Sequence, residues 1–230
     1  VFPPLVPVAF SLLSRLQDDR AAFTDSLGKL TRIVVLISLP LGVGAALTGG
    51  TAPAIVLGAH WTGAGVVVQL MGLRMGLEWL VGLNSTAFSA VGRPDMNVKT
   101  LLFAVVVSLP GSVWAAPYGL IIFCWARLLT SQLSNLIAFQ FARAVLQLPL
   151  RFLWNRVKSP VIACGIMALG ILALQRMLPT GGAVVVVITT AAGAGFYTGG
   201  LWLVDRPALA WGWQAMAKIF ARRAAEVPLP

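Results

Sequence analysis

The chain has 230 residues, of which 58% are hydrophobic and only 10% are charged, and its mean hydropathy is +0.88. Soluble domains are about half apolar and a quarter charged, so this composition excludes a soluble globular domain. Many of the apolar residues form runs of about 20, the length that crosses roughly 30 Å of hydrocarbon as a helix. The sequence therefore predicts an all-α membrane protein, a polytopic helix bundle.

The net charge of +10 would also suit a nucleic-acid-binding protein. The basic residues, however, lie in the segments between the apolar runs, and no aromatic-rich nucleic-acid module interrupts them. This distribution favours membrane lipids as partners and argues against nucleic acid.

The first predicted elements are a short helix end and a kinked span. Residues 1–13 are apolar but too short to cross a bilayer, so we expect the chain to begin inside a helix and to continue into the polar stretch 14–32. The first full span covers residues 33–48 and contains Pro40, which removes one backbone hydrogen bond. Neighbouring helices must then support the kink.

Three further spans follow a loop that contains His60 and Trp61. The second span covers residues 66–91 and ends at a Gly-Arg-Pro-Asp turn, at 92–95. The third and fourth, residues 98–114 and 120–141, are separated by only five residues. These two spans must therefore form an antiparallel hairpin.

The remaining chain is predicted to contain a surface segment, two more spans and a tail. Residues 143–158 mix leucine and aromatic residues with basic ones, a pattern typical of a membrane surface. The fifth and sixth spans cover residues 161–174 and 183–204. The prediction is thus about six full transmembrane helices plus the end of another, divided into a bundle at 1–158, an additional hairpin at 159–204 and a basic tail at 205–230.

The basic residues alternate between the two sides of these spans. Among the residues between and beyond the spans, one side carries a single basic residue, Arg176, and the other carries Arg15, Arg20, Lys29, Arg32, Arg93, Lys99, Arg143, Arg151, Arg156, Lys158, Arg206, Lys218, Arg222 and Arg223. Cytoplasmic loops are enriched in lysine and arginine. We therefore expect the basic side, including the C-terminus, to be cytoplasmic.

Ionisable residues inside spans are costly and usually face a bundle interior or a hydrated path, and three qualify: Arg74, Glu78 and Arg127. Arg74 and Glu78 are four residues apart, so they share one helical face and can pair. Arg74 would contact an anionic substrate, with Glu78 modulating it or titrating with a driving ion, or the two would form a structural ion pair. Arg127 would contact substrate, or would snorkel to the interface or pack.

Other polar residues in the spans complete the candidate site. Gln69 and Asn84 are predicted to lie on the same helix as Arg74, and Gln132 and Asn135 follow Arg127 in an unusually polar stretch. Such side chains bond between helices or line a hydrated path. Because His60 is the sole histidine, no two-histidine metal motif exists, and no phosphate-binding glycine loop is present, so we expect neither a metal nor a cofactor.

Six short motifs give the chain a resemblance to a known family. They are SRLQDD at 14–19, LPLGVG at 39–44, LGAHW at 57–61, GRP at 92–94, YGL at 118–120 and WARLL at 125–129. In this order and spacing, the chain resembles bacterial polysaccharide and O-antigen flippases of the multidrug/oligosaccharidyl-lipid/polysaccharide exporter superfamily.

The resemblance implies a two-lobed bundle of about fourteen helices, of which this chain would be the C-terminal part, with an N-terminal lobe as its partner. It implies movement of an undecaprenyl-pyrophosphate-linked oligosaccharide across the inner membrane by alternating access, driven by a proton or sodium gradient. In this family the last two helices are variable additions, so we expect little function in them.

Two alternatives remain open. One is a lipid II or drug exporter of the same superfamily, and the other is a membrane-embedded enzyme or scaffold. His60 and Glu78 make a poor constellation for an enzyme, and we therefore expect none.

Overall fold

A computed structural model describes residues 5–78, 83–147, 150–177 and 182–206, and within these ranges the chain forms helices and turns but no strand. The helices are α1 (Leu5–Arg15), α2 (Arg20–Thr48), α3 (Ala52–Leu57), α4 (Ala64–Leu77), α5 (Asn84–Ala90), α6 (Asp95–Ala115), α7 (Leu120–Leu146), α8 (Leu150–Met177) and α9 (Ala183–Val204). Five helices of the described chain, α2, α6, α7, α8 and α9, are long and apolar enough to cross a bilayer. The predicted all-α polytopic membrane fold is confirmed.

The first span is longer than predicted, because α2 begins within the polar stretch. Asp19 caps the helix, and its carboxylate accepts a hydrogen bond of 3.0 Å from the backbone N–H of Ala22. This contact satisfies one of the free N–H groups of the first turn. The helix then continues through Pro40 to Thr48 as a single element of 29 residues.

The prediction of one continuous span over residues 66–91 is wrong. α4 ends at Leu77 after 14 residues, about 21 Å, and α5 begins separately at Asn84. Residues 84–86 are Asn, Ser and Thr, whose short polar side chains compete for backbone hydrogen bonds and favour helix starts over helix interiors. α5 ends at Ala90 and is followed by Gly92, which has a φ of +71°, and the N–H of Arg93 donates to the Phe88 carbonyl at 2.8 Å.

The predicted surface segment 143–158 is not a separate element in the structure, and its location at the membrane surface stays a prediction. Its first residues complete α7, which ends at Leu146, and the backbone of Gln147 then has a left-handed conformation. Its later residues begin α8. Leucine mixed with basic residues also suits the end of a transmembrane helix, because long basic side chains reach out to the interface. α8 runs across residue 158, whereas the proposed division of the chain into three parts stays a prediction. The tail beyond residue 206 lies outside the described residues.

The long helices pack around α2. α4 lies against one side of α2, and the hairpin α8–α9 lies against another. The predicted hairpin of the third and fourth spans is confirmed as α6 and α7, and α7 packs on α4. α6 contacts mainly α7 and leaves most of its apolar surface exposed, as expected of a helix facing lipid.

Glycine residues allow α2 and α4 to touch through their backbones. Gly42 lies against Gly76 so closely that a Cβ on Gly42 would sit 2.3 Å from the Gly76 Cα, and a Cβ on Gly72 would sit 2.5 Å from Ala45. The spacing of four residues between Gly72 and Gly76 places two small residues on one face of α4, and small residues let transmembrane helices meet.

Gly195 and Gly199 of α9 have the same spacing of four residues, but they make no such close contact with the rest of the described chain. A Cβ on either residue would meet nothing within 4 Å among the described residues. In α9 it is Gly193 and Gly200 that face α8 instead. The spacing of four residues alone therefore does not show which face of α9 packs against its neighbour.

Several basic connections converge at one end of the bundle, which we call the basic end. There the side chains of Arg20 and Gln147, Arg32 and Asp205, and Arg156 and Asp25 are paired. These pairs bring together the start of α2, the end of α7, the start of α8 and the end of α9. At the opposite end of α2, Gln175 donates to the Leu47 carbonyl at 2.8 Å.

Candidate functional site

Arg74 and Glu78 form the ion pair that their spacing predicts. The Arg74 Nη2 lies 2.9 Å from the Glu78 Oε1, and the two side chains are 26% and 36% exposed. Arg74 belongs to the last turn of α4, and Glu78 follows as its C-terminal cap residue. A cation is favoured there, because the last carbonyls of a helix carry partial negative charge.

This pair lies on the side of α4 that faces α7. Leu70 packs with Cys124 and Leu128 of α7, whereas Gly76 packs on α2. At about 100° per residue, Arg74 is about 40° around the helix from Leu70 and about 160° from Gly76. Its side chain therefore projects towards α7 rather than towards α2.

Asn135 lies on the face of α7 that meets α4, and Gln132 lies about 40° to one side of that face. Gln132 follows Leu128 by four residues, as Arg74 follows Leu70, so both are about 6 Å further along their helices. Asn135 follows Leu128 by seven residues and shares its face within about 20°. We call the set Arg74, Glu78, Gln132 and Asn135 the α4–α7 seam.

The α4–α7 seam contains polar nitrogens without acceptors. The Arg74 Nε, the Gln132 Nε2 and the Asn135 Nδ2 are buried, and none has a hydrogen-bond partner in the part of the chain that the structure describes. Leaving such a group unpaired costs about 1–3 kcal/mol. All three are N–H donors, the kind of group that binds a ligand rich in oxygen acceptors.

Asn84 does not share a helix with Arg74, contrary to the prediction. It is the first residue of α5, beyond the end of α4, and α5 contacts α7 near the basic end, where Ala87 and Ala142 share one apolar cluster. Its Nδ2 is buried and also finds no acceptor within the described ranges. Asn84 is thus a fourth buried donor without a described partner, and it lies at the start of α5 and not in the α4–α7 seam.

Gln69 faces α2 instead of α7. A Cβ on Gly50 would lie 3.1 Å from the Gln69 Nε2, so this side chain covers the glycine. Gln69 therefore fills the α2–α4 interface and is separate from the α4–α7 seam.

Arg127 faces α6 and is not brought together with Arg74. Its Nη1 donates to the Ser112 Oγ of α6 at 3.5 Å, and the Thr130 methyl, one turn along, lies against Gly111. Arg127 follows the start of α7 by seven residues, about 10 Å. Its contact with substrate stays a prediction, but it belongs to the α6–α7 interface.

One buried polar residue at the interface of α2 and α4, Ser38, was not predicted from the sequence. Ser38 is 6% exposed, lies one turn before Gly42 on the α4-facing side of α2, and its Oγ has no partner among described residues. The signal in the sequence was a serine inside an apolar span. Within the described ranges, no group of three or more His, Cys, Asp or Glu residues could hold a metal ion.

Residues 2–67 match the model of a family described as "Polysaccharide biosynthesis protein". This part of the chain contains three of the six motifs that carry the predicted resemblance, SRLQDD, LPLGVG and LGAHW. The match supports a polysaccharide flippase-type protein and a role in polysaccharide biosynthesis or transport. No curated protein and no solved structure matches the chain significantly.

Proposed function

We propose that this membrane protein is a flippase that moves an undecaprenyl-pyrophosphate-linked oligosaccharide across the bacterial inner membrane for exopolysaccharide, capsule or O-antigen synthesis. The family match to residues 2–67 supports the pathway, and the α4–α7 seam supports the substrate. The chain acts as the C-terminal lobe and works against an N-terminal lobe by alternating access. The basic end, with the C-terminus, faces the cytoplasm.

The observation that carries this proposal is a set of buried N–H donors that have no partner within the described residues, one of them on an arginine. A pyrophosphate group and sugar hydroxyls offer many oxygen acceptors, and an arginine binds phosphate through charge-assisted hydrogen bonds. The free N–H groups of Arg74, Gln132 and Asn135 would then all be paired. An apolar drug would leave these donors unsatisfied, and this difference favours the lipid-linked sugar.

Glu78 gives the proposed site a way to couple with an ion gradient. Its carboxylate forms an ion pair of 2.9 Å with the Arg74 guanidinium, so it would compete with a phosphate group for binding to Arg74. A proton or sodium ion on Glu78 weakens the pair and frees Arg74 for the substrate. The proposed mechanism needs no covalent chemistry, and in it the protein is a transporter and not an enzyme.

The test is an export assay with the intact protein in cells that depend on it for surface polysaccharide. Arg74→Ala and Gln132→Leu should each reduce surface polysaccharide at least tenfold, with lipid-linked precursor accumulating in the membrane. The matched control is Gln69→Leu, which makes the same change on the face of α4 that packs against α2. Unchanged export by a correctly inserted Arg74→Ala protein would make the ion pair structural and refute the site.

The orientation has its own test. A cysteine placed at Thr62 should react with an impermeant reagent added from the periplasm, and one placed at Asp95 should react only after the membrane is opened. The reverse pattern would overturn the proposed topology.

A further inference from the structure

Pro40 leaves one backbone carbonyl in α2 without its helical partner. A proline has no N–H, so the hydrogen bond that residue 40 would donate to the carbonyl of residue 36 does not exist. That carbonyl belongs to Leu36, in a stretch flanked by the buried residues Val35 and Leu39. An unpaired carbonyl at such a depth is costly, because no bulk water reaches it.

A side chain from α9 supplies the missing donor. The Tyr197 hydroxyl donates to the Leu36 carbonyl oxygen at 2.9 Å. Tyr197 is 8% exposed and packs in the apolar cluster formed by α2, α8 and α9. The phenol ring fills the interface while its hydroxyl replaces the hydrogen bond that the proline removes.

Pro40 lies close to the contact between α2 and α4, so a change in the backbone of α2 at this position would shift α4. Gly42 follows Pro40 by two residues and is the point at which the backbones of α2 and α4 meet, against Gly76. Arg74 is only two residues from Gly76. The course of α2 at Pro40 therefore sets the position of the α4 segment that carries the α4–α7 seam.

The same hairpin contacts α2 at several further levels. Near the basic end, Arg156 pairs with Asp25, and Asp205 accepts from Arg32 and from Ser159, the latter at 2.8 Å. At the opposite end, the Gln175 amide donates to the Leu47 carbonyl in the last turn of α2. Polar contacts thus join the hairpin to α2 near both ends and at the proline.

We propose that the α8–α9 hairpin is a brace for α2, and that Tyr197 is a positioning residue that fixes the backbone of α2 at Pro40. The expectation that the last two helices contribute little therefore gives way to a defined role. The proposal rests on these contacts and not on the transport step, so it stands or falls separately from the proposed function.

The test is a double-mutant cycle in the intact protein, purified in detergent. Tyr197→Phe keeps the ring and removes only the donor, whereas Pro40→Ala restores a backbone N–H that can bond to the Leu36 carbonyl. We expect Tyr197→Phe to lower the apparent melting temperature by about 2–4 °C. Adding Pro40→Ala to that variant should recover most of the loss, since the helix then supplies its own hydrogen bond.

A local readout separates positioning from general destabilisation. Amide hydrogen exchange should rise in Tyr197→Phe for peptides from residues 33–48 and stay unchanged for peptides from residues 98–114. The control is Tyr118→Phe, which removes the same hydroxyl from an exposed ring at the end of α6. A double variant as unstable as Tyr197→Phe alone, or exchange that rises equally in both regions, would overturn the proposal.

Discussion

The contact between the backbones of α2 and α4 makes Gly42→Ala a sharp test of the packing. The new Cβ would sit 2.3 Å from the Gly76 Cα and 2.7 Å from the Gly72 carbonyl oxygen. Both neighbours are backbone atoms, so no side-chain rotation can make room. The two helices must separate.

The size of the separation follows from the contact distances. An ordinary van der Waals contact begins at 3.4 Å, so the helices must move apart by about 1.1 Å at this point, the difference between 3.4 and 2.3 Å. Overpacking of this kind costs about 1–3 kcal/mol. For a protein of 150–250 residues, each kcal/mol lowers the melting temperature by about 2–4 °C, so we expect a fall of about 2–12 °C.

The assay is thermal unfolding of the intact protein in detergent at one fixed scan rate, because unfolding of such proteins is often irreversible. Gly44→Ala is the matched control, since its Cβ meets nothing within 4 Å in the described chain. Alanine is also a better helix former than glycine, so Gly44→Ala should leave stability unchanged or slightly raised. Equal melting temperatures for the two variants would refute the packing.

Three further predictions concern the α8–α9 hairpin and use the same melting assay. Arg32→Asp should lower the apparent melting temperature, and adding Asp205→Arg should restore part of the loss because the pair is re-formed with exchanged charges; an additive loss would contradict the contact. Gln175→Leu should cost about 1 kcal/mol by removing the donor to the part-buried Leu47 carbonyl, and an unchanged melting temperature would argue against the bond. Gly193→Ala should destabilise α9 against α8, where its Cβ would lie 2.8 Å from the Ile171 side chain, whereas Gly195→Ala should not.

The hairpins of the chain were predictable because they depend on local signals. The fourth and sixth spans were placed from apolar runs and breakers, and α9 has the predicted limits, Ala183–Val204. The ion pair of Arg74 and Glu78 followed from their spacing of four residues alone. In each case the determining atoms lie within a few residues of one another in the chain.

The sequence misplaced the ends of other helices because the signals there compete. Continuous hydrophobicity favoured one span over residues 66–91, while the polar residues from Asn84 onwards favour a helix start. The hydrophobic composition therefore predicted that the segment is embedded in the membrane, but it did not predict the division into α4 and α5. The basic and apolar mixture before α8 was ambiguous for the same reason, since it suits both a surface segment and a helix end.

By itself, the sequence determined that the protein is helical and embedded in a membrane, and that Arg74 and Glu78 pair. It also required a donor for the Leu36 carbonyl, because Pro40 cannot provide one. Only the tertiary structure decided that Tyr197 is this donor, that Asn135 lies on the face of α7 that meets α4, and that Arg127 and Gln69 belong to other interfaces. The helical repeat fixes which residues share a face, whereas the partner of each face is decided by packing between distant segments, such as those of Leu36 and Tyr197, which are 161 residues apart.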